Sequence, residues 1–449
     1  MAVSGTTTTS SSALKPTLSF WQIWNMSFGF LGVQIGYSLQ NANTSRILSA
    51  IGADVHHLSL FWLAAPVAGL IVQPIVGLSS DKTWTRLGRR IPFILGGAFV
   101  SAAAMFFMPN SEKFAALLPP LFFGAAMLLL MDTSFNVTMQ PFRALVSDMV
   151  PDKQRNKGYS VQSFLINAGA VFGSLLPFLL TGWGMANEPA PGAKVAPTVI
   201  WSFYIGGAVL LLTVLWTSFR TKEYPPAEYA RYNNMEAEVK EKEKVSFWQL
   251  LQNIPSTMWQ LSVTQFFSWF SLFLMWVYTT QGIAQNVWNT SDPTSKDYNE
   301  AGNWTGVIFA AYSVFAALYS LLLTPLANKF GRRNTYMISL LLGGVGLFSM
   351  VFIRDKYLLF AAMAGIGIAW AAILALPYAI LSASLPPKQT GVYMGIFNAT
   401  ITIPQIAAGL LGGLAISALG GSAINVIGLA GVSMFIAGIC ARLVIKDSH

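Results

Sequence analysis

Twelve apolar stretches divide this 449-residue chain, at 18–40, 58–79, 91–109, 119–147, 159–183, 198–219, 253–281, 301–327, 334–353, 357–384, 391–415 and 422–443. A helix rises about 1.5 Å per residue, so some twenty residues cross the ~30 Å hydrocarbon layer of a bilayer. In hydrocarbon a helix satisfies every backbone N–H and C=O within its own segment. The pattern therefore predicts an all-α membrane protein with twelve transmembrane helices. Composition agrees, with 54% hydrophobic and 10% charged residues, against about 25% charged in soluble domains.

The net charge of +9 does not point to a nucleic-acid partner. With a cytoplasmic amino terminus, six of the 27 Lys and Arg fall on the outer side (Arg46, Lys113, Lys194, Lys296, Arg354 and Lys356), twenty on the inner side, and one, Arg143, within a span. That asymmetry is the positive-inside rule and sets both termini in the cytoplasm. Residues 1–17, rich in Ser and Thr, read as a disordered cytoplasmic tail without the regions of a cleaved signal, and 445–449 as a second tail. A single cysteine, Cys440, excludes an intramolecular disulfide.

The chain is duplicated. Gly88-Arg89-Arg90 after segment 2 returns as Gly331-Arg332-Arg333 after segment 8, 243 residues later. Pro141-Phe142-Arg143-Ala144-Leu145, with Pro151 beyond it, is echoed by Pro377-Tyr378-Ala379-Ile380-Leu381 and Pro387 at an offset of 236. The reading is an N-terminal six-helix bundle over 18–219, a cytoplasmic linker over 220–250 and a C-terminal six-helix bundle over 251–444. Two pseudo-symmetric parallel repeats around a central site are the plan of the major facilitator fold.

Asp132 is the only acid well inside a span, and a carboxylate at that depth costs about 3 kcal/mol or more. Residues 132, 136, 140 and 143 are spaced four, four and three, so Asp132, Asn136, Gln140 and Arg143 share one helix face. A polar stripe of this kind must look into a cavity. Asp132 and Arg143 lie about 16 Å apart along a helix axis, too far for a direct pair. Asp132 is the candidate proton-coupling residue, the alternative being a protonated acid that braces a neighbouring helix. Arg143 either lines the inner cavity and serves coupling or snorkels to headgroups.

A small-molecule site in such a cavity needs apolar faces and a few convergent amides or hydroxyls. Candidate contacts are Gln34, Tyr37 and Gln40 in segment 1, Asn136, Gln162 in segment 5, Trp269 and Trp276 in segment 7, and Asn398 and Gln405 in segment 11. In the loop after segment 2, Asp81 can pair with Arg89 or Arg90 as a gate that holds the halves together at the cytoplasmic face. Gly77 and Gly88 there allow close approach and tight turning.

The run Ala65-Pro66 to Gln73-Pro74-Ile75-Val76-Gly77, leading into Ser80-Asp81 and Arg86-Leu87-Gly88-Arg89-Arg90, resembles the sucrose–proton symporters. These belong with the glycoside–pentoside–hexuronide cation symporters of the major facilitators. Gly32 to Gln40, Gly395-Ile396-Phe397-Asn398 and Ile403-Pro404-Gln405 are similar to the same family. The resemblance implies that Asp132 couples proton to sugar and that Arg143 is essential. The chain departs from plant members at Tyr278-Thr279-Thr280-Gln281-Gly282, which carries no charge, and in the register of His56 and His57.

There is no Walker-type loop, metal-ligand cluster or nucleophile–His–acid set, so no enzyme, metal or cofactor is expected. The reading is proton-coupled uptake of a neutral glycoside, most simply a disaccharide such as sucrose or maltose, by alternating access. A drug or metabolite efflux antiporter and sodium-coupled sugar symport are the alternatives. The expected partners are the sugar, the proton and the bilayer of the cell (inner or plasma) membrane, with the protein a monomer.

Overall fold

A computed structural model describes residues 15–232, 254–382 and 396–445. Its helices are α1 (Phe20–Ser27), α2 (Gly29–Ala50), α3 (Leu58–Phe61), α4 (Ala64–Lys82), α5 (Ile91–Phe107), α6 (Pro120–Met149), α7 (Arg155–Gly182), α8 (Pro197–Arg220), α9 (Pro226–Tyr232), α10 (Ser256–Val287), α11 (Lys296–Phe330), α12 (Arg332–Ser349), α13 (Leu359–Ser382), α14 (Ala399–Ala418) and α15 (Ala423–Leu443). The described residues contain no strand, only an isolated bridge from Thr85 to Gly88. Among them ten helical segments are long and apolar enough to cross a membrane. The two remaining spans, α2 and α12, are diluted by Gln34, Gln40, Asn41, Asn43 and Arg46 and by Arg332, Arg333 and Asn334.

The duplication is visible in the packing. In the first half α2 packs on α7 and α8, α5 on α6 and α8, and α4 on α6. In the second, α10 packs on α14 and α15, α12 on α13 and α15, and α11 on α13. These are the same five pairings. The halves meet through α7 against α11 and α3–α4 against α14, which are again equivalent under the repeat. Buried glycines permit the closest approaches. A Cβ at Gly306 would stand 2.1 Å from the Ser174 carbonyl oxygen, and one at Gly169 would stand 2.5 Å from that of Leu31.

The first span differs from the expectation. It does not stop at 40, because α2 continues to Ala50, and it is broken at Phe28. The break has a cause. The Thr217 hydroxyl donates to the Asn25 carbonyl at 2.7 Å and accepts from the Gly29 N–H at 2.8 Å, entering the backbone ladder where those two groups would pair. Because α2 is longer, Arg46 lies within a helix and is buried, so Arg143 is not the only basic residue inside a span.

The end of the bundle that carries residues 46, 56, 181, 299 and 417 is termed the far face, and the end that carries the Arg89–Arg90 loop the terminal face. Among the described residues, side-chain hydrogen bonds between the halves gather at the far face. Ser45 donates to the Val277 carbonyl (2.8 Å), Gln281 to the Ser49 hydroxyl (3.1 Å) and Asn303 to the Thr181 hydroxyl (2.7 Å), and His56 Nδ1 shares a bond with Ser417 Oγ (2.9 Å). One further bond, from Asn398 to Gln73, lies deeper in the bundle.

Candidate functional site

Exposure rises along the stripe on α6. Asp132 is 2% exposed, Asn136 and Gln140 are half-buried, and Arg143 is exposed although it lies within the helix. The stripe thus runs from the closed far half toward an opening on the terminal side. The Arg143 guanidinium is coupled electrostatically to Tyr37 of α2 and Tyr378 of α13, one from each half. Tyr37 interacts electrostatically with Asp132, Tyr312 and Arg143. Among the described residues no ion pair joins Asp132 to Arg143.

Asp132 is held by amides. Gln40 Nε2 donates to its Oδ1 at 2.5 Å, whereas Oδ2 is buried with no partner. Asn136 Nδ2 donates to the Asp132 backbone carbonyl at 2.8 Å. Gln73 Nε2 donates to Asn136 Oδ1 at 2.7 Å, and Asn398 Nδ2 donates to Gln73 Oε1 at 3.1 Å. A chain of three amides therefore runs from the helix turn that carries the acid, through α4, to residue 398 at the start of α14 in the other half.

The remaining amides divide. Gln34 is half-buried and reaches Ser38 at 3.5 Å within its own helix. Gln162 donates to the Phe142 carbonyl at 3.3 Å and braces α7 against α6 inside the first half. Gln405 is half-buried two turns beyond Asn398, on the same face of α14. Trp269 and Trp276 of α10 are joined by Trp370 of α13, in the same half. The three ring centroids lie 5.7–6.3 Å apart, with Tyr312 6.5 Å from Trp370. The Trp269 N–H is buried without an acceptor.

The arginine loop is tied within the first half. Arg90 Nε pairs with Asp148 Oδ2 at 2.8 Å and its Nη1 with Ser80 Oγ at 2.5 Å. Arg89 Nε reaches the Ser80 carbonyl at 3.3 Å, and its guanidinium lies over the Tyr229 ring at 4.5 Å. The Asp81 side chain lies outside the described part; among the described residues Arg90 meets the Asp148 carboxylate. Gly88 has a φ of +115° and a Cβ there would meet Glu223, so glycine is required. A Cβ at Gly77 would meet nothing within 4 Å, so close helix approach does not explain that glycine.

Sequence reasoning missed Gln73, Trp370 and Arg46. Gln73 carries the signal that found the others, an amide within an apolar run, and Trp370 lies in the segment equivalent to the Asp132 helix. Arg46 follows Asn41, Asn43, Thr44 and Ser45, a polar run that reads as a loop.

Symmetric six-helix bundles around a polar core define a secondary transporter of the major facilitator fold, an integral membrane protein and not an enzyme. The chain belongs to the MFS/sugar transport protein family, whose pattern matches residues 47–434. It is 23% identical over 459 residues to a sucrose transport protein of Arabidopsis thaliana, covering 93% of this chain and 88% of that one. A general alpha-glucoside permease of Schizosaccharomyces pombe is 26% identical over 59% of this chain and 48% of its own length. In fold the chain is similar to the nucleoside transporter NupG, with a TM-score of 0.66 at 14% identity, covering 96% of this chain and all (100%) of that one. A solved structure titled for substrate recognition in proton-dependent oligopeptide transporters gives a TM-score of 0.66 at 15% identity over 94% of this chain and 98% of its own.

Proposed function

We propose that this protein couples the inward movement of a proton to uptake of a neutral glycoside, a disaccharide such as sucrose or maltose, across the cell membrane as a monomer with both termini cytoplasmic. The observation that carries the reading is Asp132: a buried carboxyl with one oxygen on Gln40, the other unpartnered, and an amide chain from its helix turn to the opposite half. A carboxyl with an open oxygen can take a proton, and the amide chain gives the other bundle a means to respond to it. Sodium would ask for several oxygen ligands, and among the described residues no second acid stands beside Asp132. The names of the sucrose and alpha-glucoside relatives support the substrate class.

The bonds gathered at the far face and the rising exposure of the α6 stripe describe a conformation open toward the terminal side, which is inward-facing in this orientation. Asp132 carries the proton, and Arg143, exposed in the cavity, assists its release. Trp269, Trp276 and Trp370 offer faces to a pyranose ring, and Gln34, Gln40, Asn136, Asn398 and Gln405 offer its polar rim. Gln162 supports that wall from behind. Arg89 and Arg90, with Asp81, hold the terminal-face gate in the opposite state.

The test is uptake of sucrose and of maltose into proteoliposomes under an imposed pH gradient. Wild type is expected to concentrate one of them, while Asp132→Asn still exchanges sugar down its gradient without accumulating it. Accumulation by Asp132→Asn would overturn proton coupling through this residue, and failure of both sugars in wild type would overturn the substrate.

A further inference from the structure

Arg46 is 2% exposed, and its partners are all amides. Its Nε and Nη2 donate to Asn299 Oδ1 at 3.1 and 2.7 Å, Nη1 to Asn303 Oδ1 at 2.8 Å, and Nη2 also to Asn187 Oδ1 at 2.9 Å. Asn299 and Asn303 lie on α11 of the second half, Asn187 and Arg46 in the first. Gly302 lets the side chain lie flat, since a Cβ there would stand 2.6 Å from Arg46 Cδ. Three further far-face bonds, from Ser45, Gln281 and Asn303, surround the cage.

We propose that Arg46 is the gate residue of the far face, latching the two bundles through the neutral amide oxygens of Asn299 and Asn303, with Asn187 of its own half bracing it, so that the closed end can release once in every transport cycle. The proposal rests on the alternating-access reading above, and its test does not depend on which sugar or ion is carried.

Among the described residues no carboxylate meets Arg46. A buried guanidinium needs its donors satisfied, and amide oxygens do that without a second charge. A complete buried ion pair would be far harder to part, because separation leaves two uncompensated charges in a low dielectric. A cavity of about 170 Å³ lined by Ser49, Val55, Gln281, Gln285 and Tyr298 adjoins this interface and straddles both halves. Water entering there can hydrate the guanidinium as the halves separate. The rim ion pair from Lys296 to Glu188, 3.8 Å long and exposed on both sides, contributes little by comparison.

The experiment uses full-length protein in lipid nanodiscs with Cys440→Ser and one reporter, Ser174→Cys, whose backbone carbonyl lies against Gly306 where the two halves meet and which is 5% exposed. Labelling by a water-soluble maleimide reads opening of that end. Arg46→Gln is expected to speed labelling at least tenfold. Asn303→Asp supplies the missing carboxylate, with the Thr181 hydroxyl free to turn and donate to it, and is expected to slow labelling and sugar exchange at least tenfold. Glu188→Gln should change neither. A merely structural Arg46 would give two variants that lose thermal stability with no opposite shift in labelling. Unchanged labelling in Arg46→Gln, or labelling in Asn303→Asp that is unchanged or faster, overturns the proposal. If Arg46→Gln fails to insert, Asn303→Asp decides it.

Discussion

Asn398 donates its side-chain amide to Gln73 Oε1 at 3.1 Å, which joins the two bundles one amide away from the residue that braces the Asp132 helix turn. The bond lies in an exposed position, so it can break as the halves move, whereas the Gln40–Asp132 bond beneath it is buried.

Gln73 holds both ends of this chain. Gln73→Leu is expected to lower kcat/KM for the sugar about 10- to 100-fold, equivalent to about 1.5–3 kcal/mol for amides left unpaired. Asn398→Ala should give a smaller loss of the same kind. The double variant should be no worse than Gln73→Leu alone, because both changes sever one connection. Additive losses measured by initial-rate uptake would show two independent contacts instead.

Trp370 closes the aromatic wall begun by Trp269 and Trp276. Trp370→Leu keeps apolar bulk and removes the ring face, so KM is expected to rise roughly 3- to 10-fold at nearly constant kcat, the size of an aromatic contact of about 0.5–1.5 kcal/mol. Zero-trans uptake over a range of sugar concentrations separates the two constants. A fall in kcat at constant KM would place the ring outside the sugar site.

Glu223, beyond the end of α8, accepts backbone N–H groups of Arg90 and Ile91 at 2.8 and 2.9 Å. Burial raises its pKa above the ordinary value of 4.5 against those bonds, with the Asp148 charge adding to the rise. An acid whose pKa is higher folded than unfolded binds more protons in the folded state. Its stabilising contribution is therefore full below 4.5 and is lost as pH rises through the raised value. Glu223→Gln keeps an acceptor for the two N–H groups and removes the titration. Detergent-solubilised wild type should lose thermal stability over that interval more steeply than the variant, as followed by intrinsic tryptophan fluorescence. Parallel curves would show that Glu223 does not carry this dependence.

The spans, the repeat and the lone acid were legible in the sequence for one reason. Hydrocarbon penalises every unpaired polar group, so twenty apolar residues, a returning Gly-Arg-Arg and a carboxyl kept at depth are each hard to explain otherwise. The separation of Asp132 from Arg143 followed from helix rise alone.

The partners did not follow from it. That Arg90 meets Asp148, that Gln73 bridges Asn136 to Asn398, and that Trp370 completes the wall depend on which helices lie side by side, and local spacing holds no record of that. Arg46 is the clearest case. Its polar neighbours make it look like part of an outer loop, and it is buried because a glycine and two asparagines of α11, over 250 residues away, pack against it. The sequence by itself determined the solvent each helix faces and the charge it can carry there. Only the tertiary structure decided which polar groups satisfy one another, because a buried hydrogen bond is set by the approach of two helices and not by either helix alone.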